Sequence, residues 1–339
     1  MLREQMAAFV TRTLDQSLKR GYPRAALGEW WTNRANIRYF VITPRNPRFV
    51  ACDGRTVWVS NTESNSVSRM DIRTGALICT LTGVPSPQQI VIVSGNVFVA
   101  SFQSSGRLYK TSIGVTTNTS MEVQSNVLGA NPSSITYDGA NAWTANFGTG
   151  PGTGSVSRAD IPNSSTTTFT SGFSQPLGIL FDGANLWVTD AGDNTLKRVD
   201  INNGAVLQSI PLSGLIGHPV FDGTNLWVSC AGIAQLGVPD KVFVVRGVGG
   251  LVGTVLAELT GNGLNGPTQA AFDGERICVT NTAADSISLW KATDLSPIVS
   301  VNLCPGCSTF HPRGICSDGT HFFVGMCDSS GGTGYIANL

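Results

Sequence analysis

The stretch QPLGILFDGANLWVTDAGDNTLKRVDINNGAVLQSI, Gln175 to Ile210, decides the fold of this chain. It holds four short apolar runs, LGILF, NLWVT, TLKRV and AVLQSI, separated by the polar turns DG, AGDN and NNG. Alternating Val, Ile, Leu and Trp between such turns predict four antiparallel strands in a meander. Because four strands alone bury too little surface, the unit needs copies of itself on either side.

Six further copies align on the Asp-Gly turn of this unit. They are CDGRTVWVSN from Cys52, VSGNVFVAS from Val93, YDGANAWTAN from Tyr137, FDGTNLWVSC from Phe221, FDGERICVTN from Phe272 and SDGTHFFVGM from Ser317. The turn recurs every 40 to 51 residues, and four-stranded repeats of that length predict an all-β fold, a seven-bladed β-propeller. Four copies carry tryptophan at one position of the second strand, where packing between blades is expected: Trp58, Trp143, Trp187 and Trp227.

The last unit lacks a strand. From Pro312 onward the sequence supplies only three strand-like runs, RGICS, HFFVGM and GYIAN. A spare run, IRYFVIT, spans Ile37 to Thr43 just before the first blade. We expect residues 37–43 to be the outermost strand of blade seven, which would leave the ring without an open edge. This divides the chain into an N-terminal extension, 1–36, and a propeller domain, 37–339.

The extension carries an amphipathic pattern. Its apolar residues recur at helical spacing and predict one helix with a single apolar stripe: Leu2, Met6, Phe9, Val10, Leu14 and Leu18. Gly21 and Pro23 are stop signals for that helix. A closed propeller does not need the stripe for its core. It would therefore pack on the outside of its own propeller, or dock on a protein partner or another copy of the chain, and Trp30 and Trp31 could anchor either contact.

Charge and composition narrow the class of partner. The 22 basic and 22 acidic residues balance, so nothing favours nucleic acid or an anionic membrane surface. Charged residues make up only 13 %, about half the usual fraction, and Gly, Ser, Thr and Asn fill the loops. This neutral surface favours an extracellular or virion-type location over the cytoplasm. The longest apolar run near the N-terminus is Met6 to Val10, which predicts neither a secretory signal nor a membrane span.

The predicted binding site follows from propeller geometry. The first strand of each blade lines the central channel, and the links into these strands share one face with the loops after the second strands. We call this the mouth face. Residues at these places offer amide, hydroxyl and charged groups to a small polar or glycan ligand: Arg48, Asn61, Ser101, Asn146, Asp190, Cys230, Asn281, His311, Arg313 and Met326. The alternative is that the asparagines only form turns.

Catalytic signals are sparse. The chain has three histidines and none of the H-E-x-x-H, G-x-S-x-G or G-x-x-x-x-G-K-[ST] patterns, so no catalytic residue is assigned. The alternative function is a lyase or hydrolase at the channel mouth, with His311, Asp190 and Arg313 as the available groups. An ordered metal, or a deep polar pocket with an acid near His311, would favour the enzyme, and a filled channel would favour a binding or scaffold module.

Four of the eight cysteines crowd together near the C-terminal end: Cys304, Cys307, Cys316 and Cys327. The C-x-x-C run with a third cysteine or His311 has the spacing of zinc ligands. A disulfide, such as Cys304 or Cys307 with Cys327, suits an extracellular location, and free thiols are the third reading. No cofactor other than zinc is expected.

The repeat has a recognisable signature, F-D-G-x-N-L-W-V-[TS]-[ND] followed by N-[ST]-[VL]-[SK]-R-[VM]-D. It resembles the YVTN/NHL-type propellers and the virginiamycin B lyase-like repeat proteins from about Arg45 to Leu339. The resemblance implies the fold, whereas its members serve as binding proteins, enzymes and assembly components. The lyase relies on histidine and glutamate at the channel, and this chain has no E-x-H pair. The leading hypothesis is therefore a non-catalytic binding or scaffold module that docks through its N-terminal helix.

Overall fold

A computed structural model describes residues 37–42, 46–304, 310–328 and 334–339 of the chain. Within these ranges the strands in the first half of the chain are β1 (Arg38–Ile42), β2 (Pro47–Cys52), β3 (Thr56–Asn61), β4 (Ser66–Asp71), β5 (Leu77–Thr82), β6 (Pro87–Val93), β7 (Asn96–Ser101), β8 (Arg107–Ser112), β9 (Thr119–Ser120), β10 (Glu122–Val127), β11 (Pro132–Tyr137), β12 (Ala142–Asn146), β13 (Ser155–Asp160) and β14 (Ser165–Phe169). The predicted N-terminal helix, with Trp30 and Trp31, lies outside the described residues.

The second half of the chain repeats the pattern. Its strands are β15 (Pro176–Phe181), β16 (Leu186–Asp190), β17 (Thr195–Val199), β18 (Val206–Pro211), β19 (Leu215–Phe221), β20 (Asn225–Ala231), β21 (Lys241–Arg246), β22 (Val255–Leu259), β23 (Pro267–Phe272), β24 (Arg276–Asn281), β25 (Ser286–Lys291), β26 (Pro297–Asn302), β27 (Phe310–Ser317), β28 (Phe322–Asp328) and β29 (Gly334–Asn338). They form the seven antiparallel blades of a propeller, as predicted. Blade 1 gains a fifth, two-residue strand because β9 pairs parallel to β5.

The Asp-Gly turn closes the hairpin between the first two strands of a blade. In blade 4, Asp182 Oδ1 accepts hydrogen bonds from the backbone N–H groups of Ala184 at 2.8 Å and Asn185 at 2.7 Å. Its Oδ2 accepts the indole N–H of Trp187 at 2.6 Å. Gly183 has φ +104°, a conformation that favours glycine. The same carboxylate-to-indole bond joins Asp138 to Trp143 and Asp222 to Trp227.

The core lies between neighbouring blades. Trp187 of blade 4 is fully buried and packs in one cluster with Leu226 and Val228 of blade 5. The tryptophans of other blades occupy the equivalent clusters: Trp58, Trp143 and Trp227. The repeated tryptophan therefore joins blade to blade, as expected from the sequence, and each blade buries its two faces only with its neighbours present.

The ring is closed by a strand from the other end of the array. Strand β1 lies antiparallel to β29 and is the outermost strand of blade 7. The register runs from Arg38 opposite Asn338 to Ile42 opposite Gly334. Phe40 packs against the cluster shared by blades 7 and 1, so the closing strand contributes apolar burial as well as backbone hydrogen bonds.

Each first strand is interrupted by a bulge near its start. The register of pairing with the second strand shifts at the same place in all seven blades. In blade 1 the shift lies between Pro47 and Phe49, and in blade 7 between Pro312 and Ile315. A bulge turns the affected side chains out of the ladder. Arg48 and Arg313 occupy the bulges of these two blades.

The Asp-Gly turns make stability depend on pH. Burial alone would raise the pKa of Asp138, but hydrogen bonds from the Asn141 backbone and the Trp143 indole outweigh it and hold the pKa below its ordinary value of 3.8. A depressed pKa in the folded state contributes stability above the unfolded-state pKa, and this is lost as pH falls through the folded value. We expect the melting temperature to decrease as the pH drops below about 4. The decrease should be less steep in the variant Asp138→Asn. Equal slopes for variant and parent would contradict this.

Candidate functional site

The asparagines of the predicted ring lie inside the sheets. Asn61 is fully buried at the end of its second strand, and its side-chain amide donates to Ser68 Oγ at 2.9 Å and Ser66 Oγ at 3.4 Å. The same arrangement of one asparagine and two serines occurs in blades 3 and 6: Asn146 with Ser155 and Ser157, and Asn281 with Ser286 and Ser288. These amides join the second strand to the third, and all three asparagines are fully buried.

In blade 4 an ion pair between Asp190 and Lys197 replaces the asparagine and serine found at this position in blades 1, 3 and 6. Asp190 is fully buried and accepts the ammonium of Lys197 at 2.6 Å, besides the backbone N–H groups of Ser174 and Gln175. The Lys197 ammonium also donates to Asp193 at 2.6 Å and to the Gly172 carbonyl at 2.7 Å. Asp190 is therefore an internal ion-pair partner rather than a free mouth carboxylate.

The other second-strand members of the predicted ring are also buried. Ser101 donates to the Pro85 carbonyl at 2.5 Å, and Cys230 and Met326 are at most 1 % exposed. Burial raises the pKa of Cys230 to about 12, so it remains a neutral thiol. Of the predicted ring, only the first-strand residues are partly exposed: Arg48, His311 and Arg313.

The first strands give the channel an unbalanced charge. None of β2, β6, β11, β15, β19, β23 and β27 contains an aspartate or glutamate. Together they contribute two arginines and two histidines: Arg48, Arg313, His218 and His311. In a chain of zero net charge, this makes the channel lining a local concentration of positive charge.

Arg48 and Arg313 are neighbours across the junction of blades 1 and 7. A Cβ on Gly314 would lie 2.6 Å from the Arg48 carbonyl, so the two first strands are in close contact. Burial, and then the charge on Arg313, lower the pKa of Arg48. Neither arginine forms an ion pair with a carboxylate of the described residues, and Arg313 Nε is buried without a hydrogen-bond partner there.

His218 and Phe49 meet inside the channel. They belong to blades 5 and 1, which are not neighbours in the ring, and their rings lie 5.3 Å apart in an edge-to-face contact. Burial, and then the charge on Arg48, lower the pKa of His218 to about 3, so its ring is neutral at pH 7. His218 Nδ1 is hidden from water and has no hydrogen-bond partner among the described residues. Sequence reasoning missed both residues, although the position of His218 in a first strand was a signal.

His311 has an acidic partner that sequence reasoning did not assign. Its Nδ1 lies 3.0 Å from Asp285 Oδ1, in the loop between β24 and β25 of blade 6. The loop after a second strand meets the link into the next blade on the mouth face, which explains the contact. The pair is partly exposed, with the side chains of His311 and Asp285 at 31 % and 14 %.

Cys327 does not form a disulfide with Cys304 or Cys307, which was one of the three alternatives for this cluster. That residue is a free thiol, which donates to Asn46 Oδ1 at 2.9 Å and to the Pro47 carbonyl at 3.2 Å. Cys304 is disulfide-bonded, whereas Cys316 is not part of a disulfide, and Cys307 lies outside the described residues. Within those residues no group of three or more histidines, cysteines or acids is arranged to hold a metal ion. Zinc at this cluster stays a prediction.

Two solved structures share the fold. Hydrazine synthase from Kuenenia stuttgartiensis superimposes with a TM-score of 0.69 at 17 % identity, covering 93 % of this chain and 98 % of that one. A streptogramin B lyase superimposes with a TM-score of 0.67 at 17 % identity, covering 90 % of this chain and 99 % of that one. At such identity the likeness concerns the fold alone. No family model matches the chain, and no curated protein matches it in sequence.

Among the described residues there is no helix that is long and apolar enough to cross a membrane. The propeller fold itself is commonly used for binding other proteins or small ligands in the channel or on a face.

Proposed function

We propose that this protein is a non-catalytic binding module that receives a small polar ligand at the mouth of its channel. The observation that carries the proposal is the pair Arg48 and Arg313. The asparagines, Ser101 and Asp190 of the predicted ring are hydrogen-bonded inside the sheets, and His311 pairs with Asp285. Arg48 and Arg313, by contrast, are neighbours without a carboxylate partner among the described residues. Folding alone gives no reason to keep two such charges together.

The module docks through its N-terminal segment, on a protein partner or on another copy of itself. The apolar stripe from Leu2 to Leu18 supports this, because the propeller buries its own core between blades and closes with β1. The neutral, hydroxyl-rich surface favours a place in a large extracellular or virion-type assembly. Light scattering of the native particle with and without residues 1–21 tests the docking. A particle whose mass is unchanged by the truncation contradicts it.

The ligand site is tested by a screen for compounds that raise the melting temperature, including neutral glycans, amines and anions. A bound ligand stabilises the folded state in proportion to the logarithm of its concentration above Kd. We expect at least one compound class to act, and its effect to be lost when Arg48 and Arg313 are both replaced by glutamine. A ligand that binds the double variant equally well places the site elsewhere.

A second candidate is a lyase or hydrolase at the same mouth. It is favoured by the His311–Asp285 hydrogen bond of 3.0 Å, since a carboxylate that holds a histidine ring can support general-base catalysis. Turnover of an ester or lactone panel that disappears in His311→Gln and falls in Asp285→Asn would support it. Turnover that survives both changes would exclude this pair as its source.

A further inference from the structure

Two aromatic rings limit how far the channel extends below its mouth. The Phe49 and His218 rings span the channel between blades 1 and 5, and Phe49 is only 4 % exposed. The Arg48 guanidinium lies 5.9 Å from the centre of the Phe49 ring. Because Arg48 precedes Phe49 on the strand that begins at the mouth face, the arginine stands on the outer side of this pair of rings. A ligand that reaches the arginines from the mouth face is therefore small.

Buried nitrogen atoms around this place are unsatisfied, and the guanidinium among them favours a negatively charged partner. Arg313 Nε is buried and lacks a partner among the described residues, as does His218 Nδ1. Glu63 is exposed and accepts a hydrogen bond from the side-chain amide of Asn46 at 2.9 Å, and it forms no ion pair with either arginine. A guanidinium presents its N–H groups in a planar fork that matches a carboxylate or a phosphate. A neutral imidazole adds one N–H donor or one acceptor according to its tautomer.

We propose that the mouth of the channel binds a small oxyanion, a carboxylate or a phosphate, between the guanidinium groups of Arg48 and Arg313, above the His218 ring. This rests on the proposed function and names the ligand class for the same site. The bound anion supplies the counter-charge that the seven first strands lack, and it ends the repulsion between the two arginines. The neutral His218 holds the ligand by a hydrogen bond without adding charge.

The experiment is calorimetric titration of the full chain with inorganic phosphate and, separately, with malonate, at fixed ionic strength. Saturable binding of either probe is expected, and the probe that binds more tightly distinguishes phosphate from carboxylate. The hydrogen bonds that a guanidinium donates to an anion are charge-assisted and stronger than those between neutral groups. Arg48→Gln and Arg313→Gln are therefore each expected to raise Kd by about tenfold or more. Absence of saturable heat for both probes up to about 10 mM overturns the proposal.

Two further variants separate binding from folding and from general salt effects. Arg55→Gln makes the same change on an exposed side chain in the hairpin of the opposite face, and it is expected to leave Kd unchanged. Gln89→Glu adds a carboxylate to the first strand of blade 2, where the side-chain oxygen already accepts from Ser134 Oγ and Ile135 N. The added negative charge on a first strand is expected to weaken binding of an anionic probe and raise Kd while both arginines stay in place. If Arg55→Gln weakens binding as much as Arg48→Gln, the anion binds by general surface charge and the proposal fails.

Failure of this inference is distinguishable from failure of the proposed function. A neutral glycan that binds the parent chain and is lost in the double arginine variant upholds the mouth as a ligand site and overturns the oxyanion. Binding of phosphate or malonate that depends on both arginines upholds both. A chain that binds nothing at the mouth overturns both together.

Discussion

Replacing Asp182 with alanine is expected to lower the free energy of unfolding by about 3 kcal/mol. The carboxylate accepts two backbone N–H groups and the indole N–H of Trp187. Water can replace it at the exposed backbone of the turn, but not at the indole, because Trp187 has no exposed surface. The loss of an acceptor for a buried donor is the largest part of the expected effect. Urea unfolding followed by tryptophan fluorescence measures it.

Blade 7 offers a matched control for this change. Asp318 makes the same two backbone contacts, to Thr320 and His321, and its Oδ2 lies 3.4 Å from Nδ1 of the His321 ring, whose side chain is 42 % exposed. The second strand carries Phe323 where blade 4 carries Trp187, so no buried indole depends on this carboxylate. Asp318→Ala is therefore expected to cost about 1 kcal/mol. In a Trp187→Phe background the cost of Asp182→Ala should fall towards that value. Equal costs for the two aspartates would show that the indole contact is not the source.

Replacing Lys197 with methionine is expected to destabilise the fold by a similar amount, about 3 kcal/mol. The ammonium neutralises Asp190, which is fully buried. Without it the carboxylate is left in the interior of blade 4 with backbone donors but no counter-ion. Breaking a buried pair from one side is costly for this reason, even where the pair itself contributes little. Thermal and urea unfolding at neutral pH measure the change.

The repeat supplies both a rescue and a control. Asp190→Asn combined with Lys197→Ser reproduces the asparagine and serine found at the same places in blades 1, 3 and 6. The double variant is expected to be more stable than Lys197→Met alone, and the coupling is read from a double-mutant cycle. In blade 5, Lys241→Met should cost about 1 kcal/mol or less, because its partner Glu258 is 51 % exposed. A double variant no better than the single one would contradict the buried-charge explanation.

Much of the fold could be predicted because its signals are local. The Asp-Gly turn, the alternating strands and the repeated Trp187 position each depend on a few neighbouring residues. The missing fourth strand of the last unit then pointed to the segment that forms β1. The length of one repeat and the count of repeats left few other ways to arrange the strands.

The site was harder to predict because the burial of a side chain, and its contacts with blades far away in the sequence, do not show in the neighbouring residues. The end of a second strand gives the face of the propeller, but not whether Asn61 points into the sheet or into solvent. The bulges that place Arg48 and Arg313 in the channel leave no mark in the strand pattern. The contact of Phe49 with His218 depends on how seven blades close. The same holds for the free thiol of Cys327, whose acceptors come from blade 1.

The buried position that holds Asp190 and Lys197 in blade 4 holds asparagine and serine in blades 1, 3 and 6. This difference affects which strands can pair during folding. Seven similar units invite exchange, in which a second strand pairs with the third strand of the wrong blade. If β16 paired with β25 in place of β17, Asp190 would face Ser286 and Ser288 and have no lysine. If β24 paired with β17, Lys197 would face Asn281 and keep only Asp193, whose side chain is 42 % exposed, as an acidic partner. Each mispairing breaks the buried Asp190–Lys197 ion pair, so the variation among the blades favours the correct strand partners over near-identical ones.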